Sequence, residues 1–581
     1  MFKKEIKFTI CGKTISLNWY FFVMLAVMTL GLIFLIWRAP YGHCYHDEPF
    51  IITLAQRLYQ GDALLADEWH GTQLFGGVLL PFYAIFRLFS DSNEGIIMVF
   101  RYTYCVLWWF TCSALCLKFS KKYKSAVFAF IYLILFSPLD NMILSYTTFG
   151  MMCALVISYI LYHVSLSDRK PKIGVTLAFS VCWVVLVLSS PFMAVGYVGL
   201  FLVAVVGTFI EKKRKTGFAF HQILHMYKWS WAISIVSAIA YVIAFIASRT
   251  DITTAFDNIR YIMADPEHPS ISFFGAIAKN VKEFYMMYPA YIIVSAVVMA
   301  CGFVLKEKLN IVRLLLFVVC GAMFVHGQIL HMQSDMLNFN FEMAYIVVLG
   351  AVAFSLLNRK NYAMFFSFYG FSIAYTLLHG IVSNTGIMAT SMTLIVAGTA
   401  GIIFIVQLIK ELIEQYEKLL VLRIVSTVIL SGLLLFQCAS QLHVRMQRQY
   451  WDAPMSELTY TVRTGAAKGT ITSERNGLEA DITYLNLTQL LKKVDTEGKS
   501  FMCCTSEPSV YLDADLDFAT FSAWTFGYKD ALGFRVMQYQ NKSEDHVPDI
   551  VFCRSQNDIL SFIDDRYEQY TYNGSYLFVK K

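Results

Sequence analysis

The sequence predicts a mainly α-helical, polytopic membrane protein of about thirteen transmembrane helices, with an α/β domain at its C-terminal end. Three observations predict it. Of 581 residues, 57% are hydrophobic and 15% charged, with a mean hydropathy of +0.54; a chain with a water-facing surface needs more polar residues than that. Apolar runs of roughly 17–25 residues recur, the length that crosses a ~30 Å hydrocarbon core. From about residue 443 the composition turns polar, with strand-like and helix-like stretches alternating.

Residues 1–18 are basic and read as a cytoplasmic N-terminus. The apolar run Trp19–Trp37 is too long for the core of a cleaved signal and no small-x-small site follows it, which predicts an uncleaved signal-anchor. Seven basic clusters come after or before apolar runs: Lys3–Lys13, Lys118–Lys124, Arg169–Lys172, Lys212–Lys215, Lys306–Lys308, Arg359–Lys360 and Lys410–Lys418. All seven fall inside if the spans are 19–37, 96–117, 125–139, 148–164, 173–190, 191–210, 229–248, 287–305, 311–330, 342–357, 362–379, 387–408 and 422–442. The net charge of +6 is thereby a matter of topology, and no nucleic-acid partner is expected. The module 19–442 then carries its first outer loop at 38–95. Residues 72–89 are apolar, but counting them as a crossing reverses every later loop, so they are expected to be re-entrant or membrane-lying.

The tail, 443–581, is expected to be an extracytoplasmic α/β domain. GTITS, KSFMCCT, DIVFCR and YLFVKK are strand-like, whereas ADITYLNLTQLLKKV and DILSFIDDRY have helical spacing. No glycine-rich phosphate loop, nucleophile elbow or internal repeat occurs in the sequence. Most of the thirteen cysteines lie in apolar runs without metal-ligand spacing and read as small hydrophobes. Cys503, Cys504 and Cys553 in the tail are the candidates for a disulfide. Three Asn-x-Ser/Thr triplets, at Asn486, Asn541 and Asn573, are of the kind that arise by chance.

The unusual feature is the loop after the first span, YGHCYHDEPFIITLAQRLYQGDALLADEWHG, with two Asp-Glu pairs and three histidines. Phe50, Ile51, Leu54 and Leu58 share one face of a short amphipathic helix, with Asp47 placed to cap it and Pro49 in its first turn. Capping and the helix dipole alone account for an Asp-Glu pair in an ordinary loop. Here the carboxylates stand beside a membrane exit, where charge is expensive to bury, and that favours a functional site.

The ordered set HDEPFIITLAQRLYQGD, DEWHGTQLFGGVLLPFYAIFRLF and SDSNEGIIMVFR resembles the GT-C superfamily of membrane glycosyltransferases. Within it, the branch of the protein O-mannosyltransferases and the aminoarabinose transferase of lipid A is the most similar. The resemblance covers residues 30–117 in detail. It implies transfer of a sugar from a polyprenyl-phosphate donor to an acceptor hydroxyl, with inversion, and it implies Asp47 as general base. Chemistry agrees, because an alcohol's proton must be removed as attack develops. Glu48 is the candidate for orienting the acceptor or Asp47, and the second acidic pair, Asp67 and Glu68, for holding the acceptor.

The lipid phosphate that leaves gathers charge and needs cations or donors. Arg57, His70, Arg260 and His331 are the candidates, with Arg249 and His379 behind them. The place of His70 lacks the proline that commonly follows in the family-like pattern, and Arg57 has the snorkelling alternative. The resemblance adds Asp140, in SPLDNMILSYTTFG, near the donor; turn chemistry explains the same residues equally well. Asp257 and Asp265 in the loop 249–286, and Asp335 beside His331, share the expected outer face. No metal or other cofactor is expected, although converging carboxylates leave a divalent cation open. The partners expected are the lipid-linked donor, a glycan, lipid or protein acceptor, and the bilayer, in a bacterial plasma membrane. The competing classes are a transporter or flippase of lipid-linked glycans, which needs polar groups at mid-membrane, a glycan ligase centred on a late loop, and an inactive scaffold. In 507–524, Tyr511 and Trp524 suit either sugar stacking or core packing, the latter being the commoner use.

Overall fold

The computed structural model describes residues 5–10, 13–44, 46–137, 141–213, 218–262, 272–304, 310–332, 341–381, 391–415, 419–447, 452–505, 507–524, 547–559 and 563–581. The N-terminal stretch forms a hairpin of β1 (Glu5–Ile10) and β2 (Lys13–Asn18). It leads into α1 (Trp19–Arg38), α2 (Asp47–Gln60) and α3 (Gly76–Arg87). Next come α4 (Ile96–Ser120), α5 (Ala126–Leu135), α6 (Tyr146–Ser165), α7 (Ile173–Ser189), α8 (Met193–Lys213) and α9 (Phe220–Val242). The short α10 (Ile252–Ile262) and α11 (Phe273–Met287) precede α12 (Pro289–Val304), α13 (Asn310–Met332) and α14 (Phe341–Leu356). A π turn at Phe366–Gly370 joins α15 (Tyr362–Phe365) to α16 (Phe371–His379), and α17 (Ser391–Gln415) and α18 (Leu420–Gln447) follow.

A helix overlies each of the expected spans. Among the described residues, eight helices are long and apolar enough to cross a bilayer. The pair α11–α12, bent by 97° at its break, makes nine if it counts as one broken span. α5, α7, α14 and the helix at Gln73–Arg87 are apolar but shorter. At 1.5 Å per residue the ten residues of α5 reach about 15 Å, half of a ~30 Å core. Length and composition therefore support a polytopic helical protein and stop short of thirteen crossings. The centre of the bundle is the crossing of α14 and α17, where a Cβ on Gly350 would lie 2.3 Å from the Cα of Gly401. Glycine at 350 is what lets the two backbones approach so closely.

The tail holds a five-stranded sheet in the order β6-β5-β7-β9-β8. β5 (Ser500–Cys503) runs parallel to β6 (Asp517–Phe518) and to β7 (Ile550–Cys553), and β9 (Ser575–Lys580) pairs antiparallel with β7 and with β8 (Tyr567–Tyr572). Asn573 and Gly574, both with positive φ, make the two-residue turn between β8 and β9. α19 (Glu474–Leu491) packs on this sheet, and α20 (Pro508–Ala514) follows β5. DILSFIDDRY does not continue as the expected α-helix: Gln556–Asp558 is a single 3-10 turn and Tyr567 already opens β8, with 560–562 outside the described residues. A Ser555–Asp558 capping box closes that turn locally, and Tyr567 is drawn into the ladder with Lys580. Asn486 is buried in α19 and donates to Ser575 Oγ, so this triplet is a packing contact rather than a glycan site.

The tail rests on the loop between α1 and α4. A short hairpin, β3 (Tyr460–Thr461) and β4 (Ile471–Thr472), is fastened there by Ile471, whose N–H donates to Pro40 O and whose carbonyl accepts from Gly42 N–H. Gly95 and Ile97 donate to the carbonyls of Gly465 and Ala466. The first loop and the tail thus lie on one face of the bundle.

Candidate functional site

α2 was expected to keep a polar face in water. Instead, every residue from Glu48 to Leu58 is buried, because α20 covers the polar side: Gln56 donates to Tyr511 O and Asp515, and Gln60 to Leu516 O. The helix start also differs from expectation. His46 holds the N-cap position without a side-chain cap, and Asp47 is the first helical residue. Its carboxylate is therefore not the cap; it stands half-buried in the first turn, where the helix's positive end favours an anion, with Oδ2 4.0 Å from Cys44 Sγ.

Glu48 points the other way, into the protein. Arg101 Nε lies 3.2 and 3.1 Å from its two carboxylate oxygens, and Arg101 also donates to the carbonyls of Ala39 and Gly42. One guanidinium thereby joins α4, the end of α1 and the start of α2. The sequence carried a signal for it: an arginine opening an otherwise apolar span needs a counter-ion nearby. Glu48, expected to orient the acceptor or Asp47, is held in this buried pair next to Asp47.

Around Asp47 four rings assemble from three segments. Phe50, one turn along α2, meets the His70 ring at 4.6 Å and the Trp524 ring at 5.2 Å. Trp524 also meets His46 at 6.3 Å and His70 at 6.0 Å. Trp524 is held there by its own strand of chain, where Phe521 stacks on Trp69 at 4.0 Å and accepts the Trp69 N–H. His70 Nδ1 accepts from the backbone N–H of Thr72 at 3.2 Å and lies 2.8 Å from Thr72 Oγ1. A neutral His70 ring in this arrangement carries its proton on Nε2, as a donor.

Arg57, Asp67 and Glu68 belong to a different arrangement. Arg57, 2% exposed, pairs with Asp62 at 2.7 Å and Glu68 at 3.0 Å, donates to Asp67 O and lies over the Phe518 ring. Burial raises the carboxyls of Asp62 and Glu68 above their ordinary range, against the pull of Arg57. Asp67 accepts from Ala63 N–H, and Glu68 Oε1 from His70 N–H. Arg57, expected at the donor phosphate, and Asp67 and Glu68, expected at the acceptor, thus bond to one another and to the loop's own backbone. The tail packs on this part of the loop, with Phe518 against the Arg57 guanidinium and Phe521 on Trp69.

Of the other candidates, Arg260 is exposed on α10, whose Asn258 donates to Ala66 O and so ties that helix to the first loop. Arg249 donates to the carbonyls of Leu58 and Asp62 at the end of α2. His379 is buried 3.4 Å from Ser190 Oγ, within α16. His331 lies near the end of α13, its side chain outside the described residues, as are Asp140, Asp265 and Asp335. Asn141, next to Asp140, makes a local turn through its Oδ1 to Ile143 N–H.

Sequence reasoning passed over several buried charges. Arg38, at the end of α1, donates to Arg445 O and to Tyr41 O, and Arg445 itself is buried beside Met142. Glu342, in the first turn of α14, accepts from Ser440 of α18. Asp452 accepts from His43 N–H, Thr472 and Asn476, tying the tail to the loop; burial, followed by the charge of Arg101, lowers His43 to about 4. A charged residue at the edge of a greasy run was the signal for Arg38 and Glu342, whereas Arg445 stands in the polar stretch after residue 443.

Among the described residues, no group of three or more His, Cys, Asp or Glu side chains is arranged to hold a metal ion. Fold and site together define a polytopic helical membrane protein whose first loop, which holds the half-buried Asp47, is bonded to an α/β domain. Two solved structures are similar to the chain over nearly its whole length. One is ArnT from Cupriavidus metallidurans bound to undecaprenyl phosphate, 12% identical with a TM-score of 0.48, covering 96% of this chain and 97% of that one. The other is the same enzyme in the apo state, 11% identical with a TM-score of 0.38 and the same coverage. No protein-family model matches the chain, and neither does any curated protein sequence.

Proposed function

We propose that this chain is a membrane glycosyltransferase that moves a sugar from a polyprenyl-phosphate donor to an acceptor hydroxyl on the outer face of the membrane. The observation that carries the reading is the split between neighbouring carboxylates. Glu48 is buried in an ion pair, whereas Asp47 remains half-buried in the first turn of α2. Asp47 takes the acceptor's proton as its oxygen attacks the anomeric carbon; the bond from that carbon to the phosphate oxygen breaks, and the configuration inverts. The His70 Nε2–H and Arg260 are the donors proposed for the departing lipid phosphate. Asp140 and His331 are proposed donor-site residues on the same side, and Trp524 offers a ring for the sugar's apolar face.

Transfer measured in membranes supplied with polyprenyl-phosphate sugars tests this. Asp47→Asn is expected to lower the rate by about 10²–10⁴-fold, the usual worth of a general base, with an unchanged melting temperature. Undiminished transfer in that variant removes Asp47 from the mechanism and the reading with it.

A further inference from the structure

β5 and β7 run side by side with Cys503 opposite Phe552, which places Cys504 opposite Cys553; the Cys504 N–H donates to Phe552 O at 2.9 Å. Adjacent strands lie ~4.8 Å apart, inside the 4.4–6.8 Å range of Cα separations that a disulfide bridges. Both side chains point to the same face of the sheet, where they are buried in one apolar cluster with Met502, Val551 and Phe578. Their sulfur atoms are 2.8 Å apart, closer than two unbonded sulfurs rest. Cys503, by contrast, faces the opposite side, in the core that contains Tyr511, with its Sγ 3.1 Å from Thr505 Oγ1.

We infer that Cys504 and Cys553 are joined by a disulfide in the mature protein. The inference rests on the proposed outer-face placement of the tail, since that is the compartment where structural disulfides persist. Its formation is a thiol–disulfide exchange with a disulfide-carrying oxidoreductase. One thiolate attacks the incoming disulfide, the second resolves the mixed disulfide, and the oxidoreductase leaves as a dithiol with the two electrons and two protons. Because both sulfurs are buried in the folded sheet, the exchange takes place before β5 and β7 close on each other. The bond closes a loop from 504 to 553 that contains Phe521 and Trp524. It therefore staples the root of the segment that carries Trp524 to His46, Phe50 and His70, with both sulfurs buried in an apolar cluster.

Peptide mapping of the full chain tests the bond, with free thiols blocked under denaturing conditions and no reductant added. A peptide linked through Cys504 and Cys553 is expected in wild type and in Cys503→Ser, and is expected to vanish in Cys504→Ser. Both thiols recovered blocked, or a link from Cys503 to Cys553, overturns the inference. The placement is read separately, by labelling Ser92→Cys, an exposed first-loop position, with a membrane-impermeant reagent in intact cells. Labelled Ser92→Cys with blocked thiols sinks the disulfide alone. An unlabelled Ser92→Cys with the linked peptide present sinks the outer-face reading and leaves the disulfide standing.

Discussion

Arg101 grips Glu48 by three contacts, with Nε 3.2 and 3.1 Å from its two oxygens and Nη2 2.5 Å from Oε2, and both side chains are buried. The remaining Arg101 donors go to Ala39 and Gly42, so that one charge pair sets the turn between α1 and α2. The geometry explains why two adjacent carboxylates have opposite fates. Glu48 is the second helical residue and faces α4, whereas Asp47 projects about 100° around the helix from it.

Removing one partner of a buried pair leaves an uncompensated charge, at a cost of about 3–5 kcal/mol. Arg101→Ala and Glu48→Ala are each expected to lower the unfolding midpoint in detergent substantially. The double variant is expected to be less damaged than the two losses added together. Additive losses in thermal unfolding show that the residues act independently and contradict the pairing.

Trp524 reaches the site from the far end of the chain and packs against His46, Phe50 and His70. Each aromatic pair contributes about 0.5–1.5 kcal/mol beyond simple burial. Trp524→Ala is expected to reduce transfer by at least about ten-fold, equivalent to ~1.4 kcal/mol, while Trp524→Phe keeps most of it. Steady-state assays that find Trp524→Ala as active as wild type place this ring outside the reaction.

The apolar runs made the helices legible, since composition alone identifies a segment that prefers hydrocarbon. Asp47 stood out because a charge pair beside a membrane exit is costly. The helix N-terminus was misjudged by one residue, as His46 has no preference for the cap and Asp47 has a strong one. What the sequence did not reveal was the tail's hold on the first loop. Ile471 bonded to Pro40 and Gly42, or Phe521 stacked on Trp69, joins residues hundreds of positions apart, and no local period encodes such a contact. For the same reason the sequence offers Arg57, Asp67 and Glu68 as ligand-binding candidates and does not show the bonds they make within the loop.

Arg57 separates a structural role from a ligand-binding one. Its guanidinium makes a forked set of bonds to Asp62, Glu68 and Asp67 O, which the point charge of a lysine does not reproduce. Arg57→Ala and Arg57→Lys are both expected to destabilise the protein, the first by about 3–5 kcal/mol. A stable Arg57→Lys with weakened donor binding in a lipid-competition assay returns Arg57 to the phosphate.

Asp513 links stability to pH. It lines a cleft together with Glu479, Glu507, Thr483, Ser509 and Arg554 of the tail and His43 of the first loop. Burial pushes its carboxyl from 3.8 up to about 7, against the hydrogen bond from Ala466 N–H. Between those values the folded state holds a proton that the unfolded chain has released. The stabilisation is therefore full below about pH 4 and lost as pH rises through about 7. His43 acts oppositely: lowered to about 4, it gives stability that is full above its ordinary 6.5 and lost as pH falls through about 4. Burial raises Asp62, Glu68 and Glu507 as well, with the same sign as Asp513. Asp513→Asn is thus expected to shrink the fall in melting temperature between pH 5 and pH 8 without erasing it, and to leave the loss below pH 5 in place. Melting curves of wild type and variant at half-unit steps check this, and parallel slopes between pH 5 and 8 assign the decline to other groups.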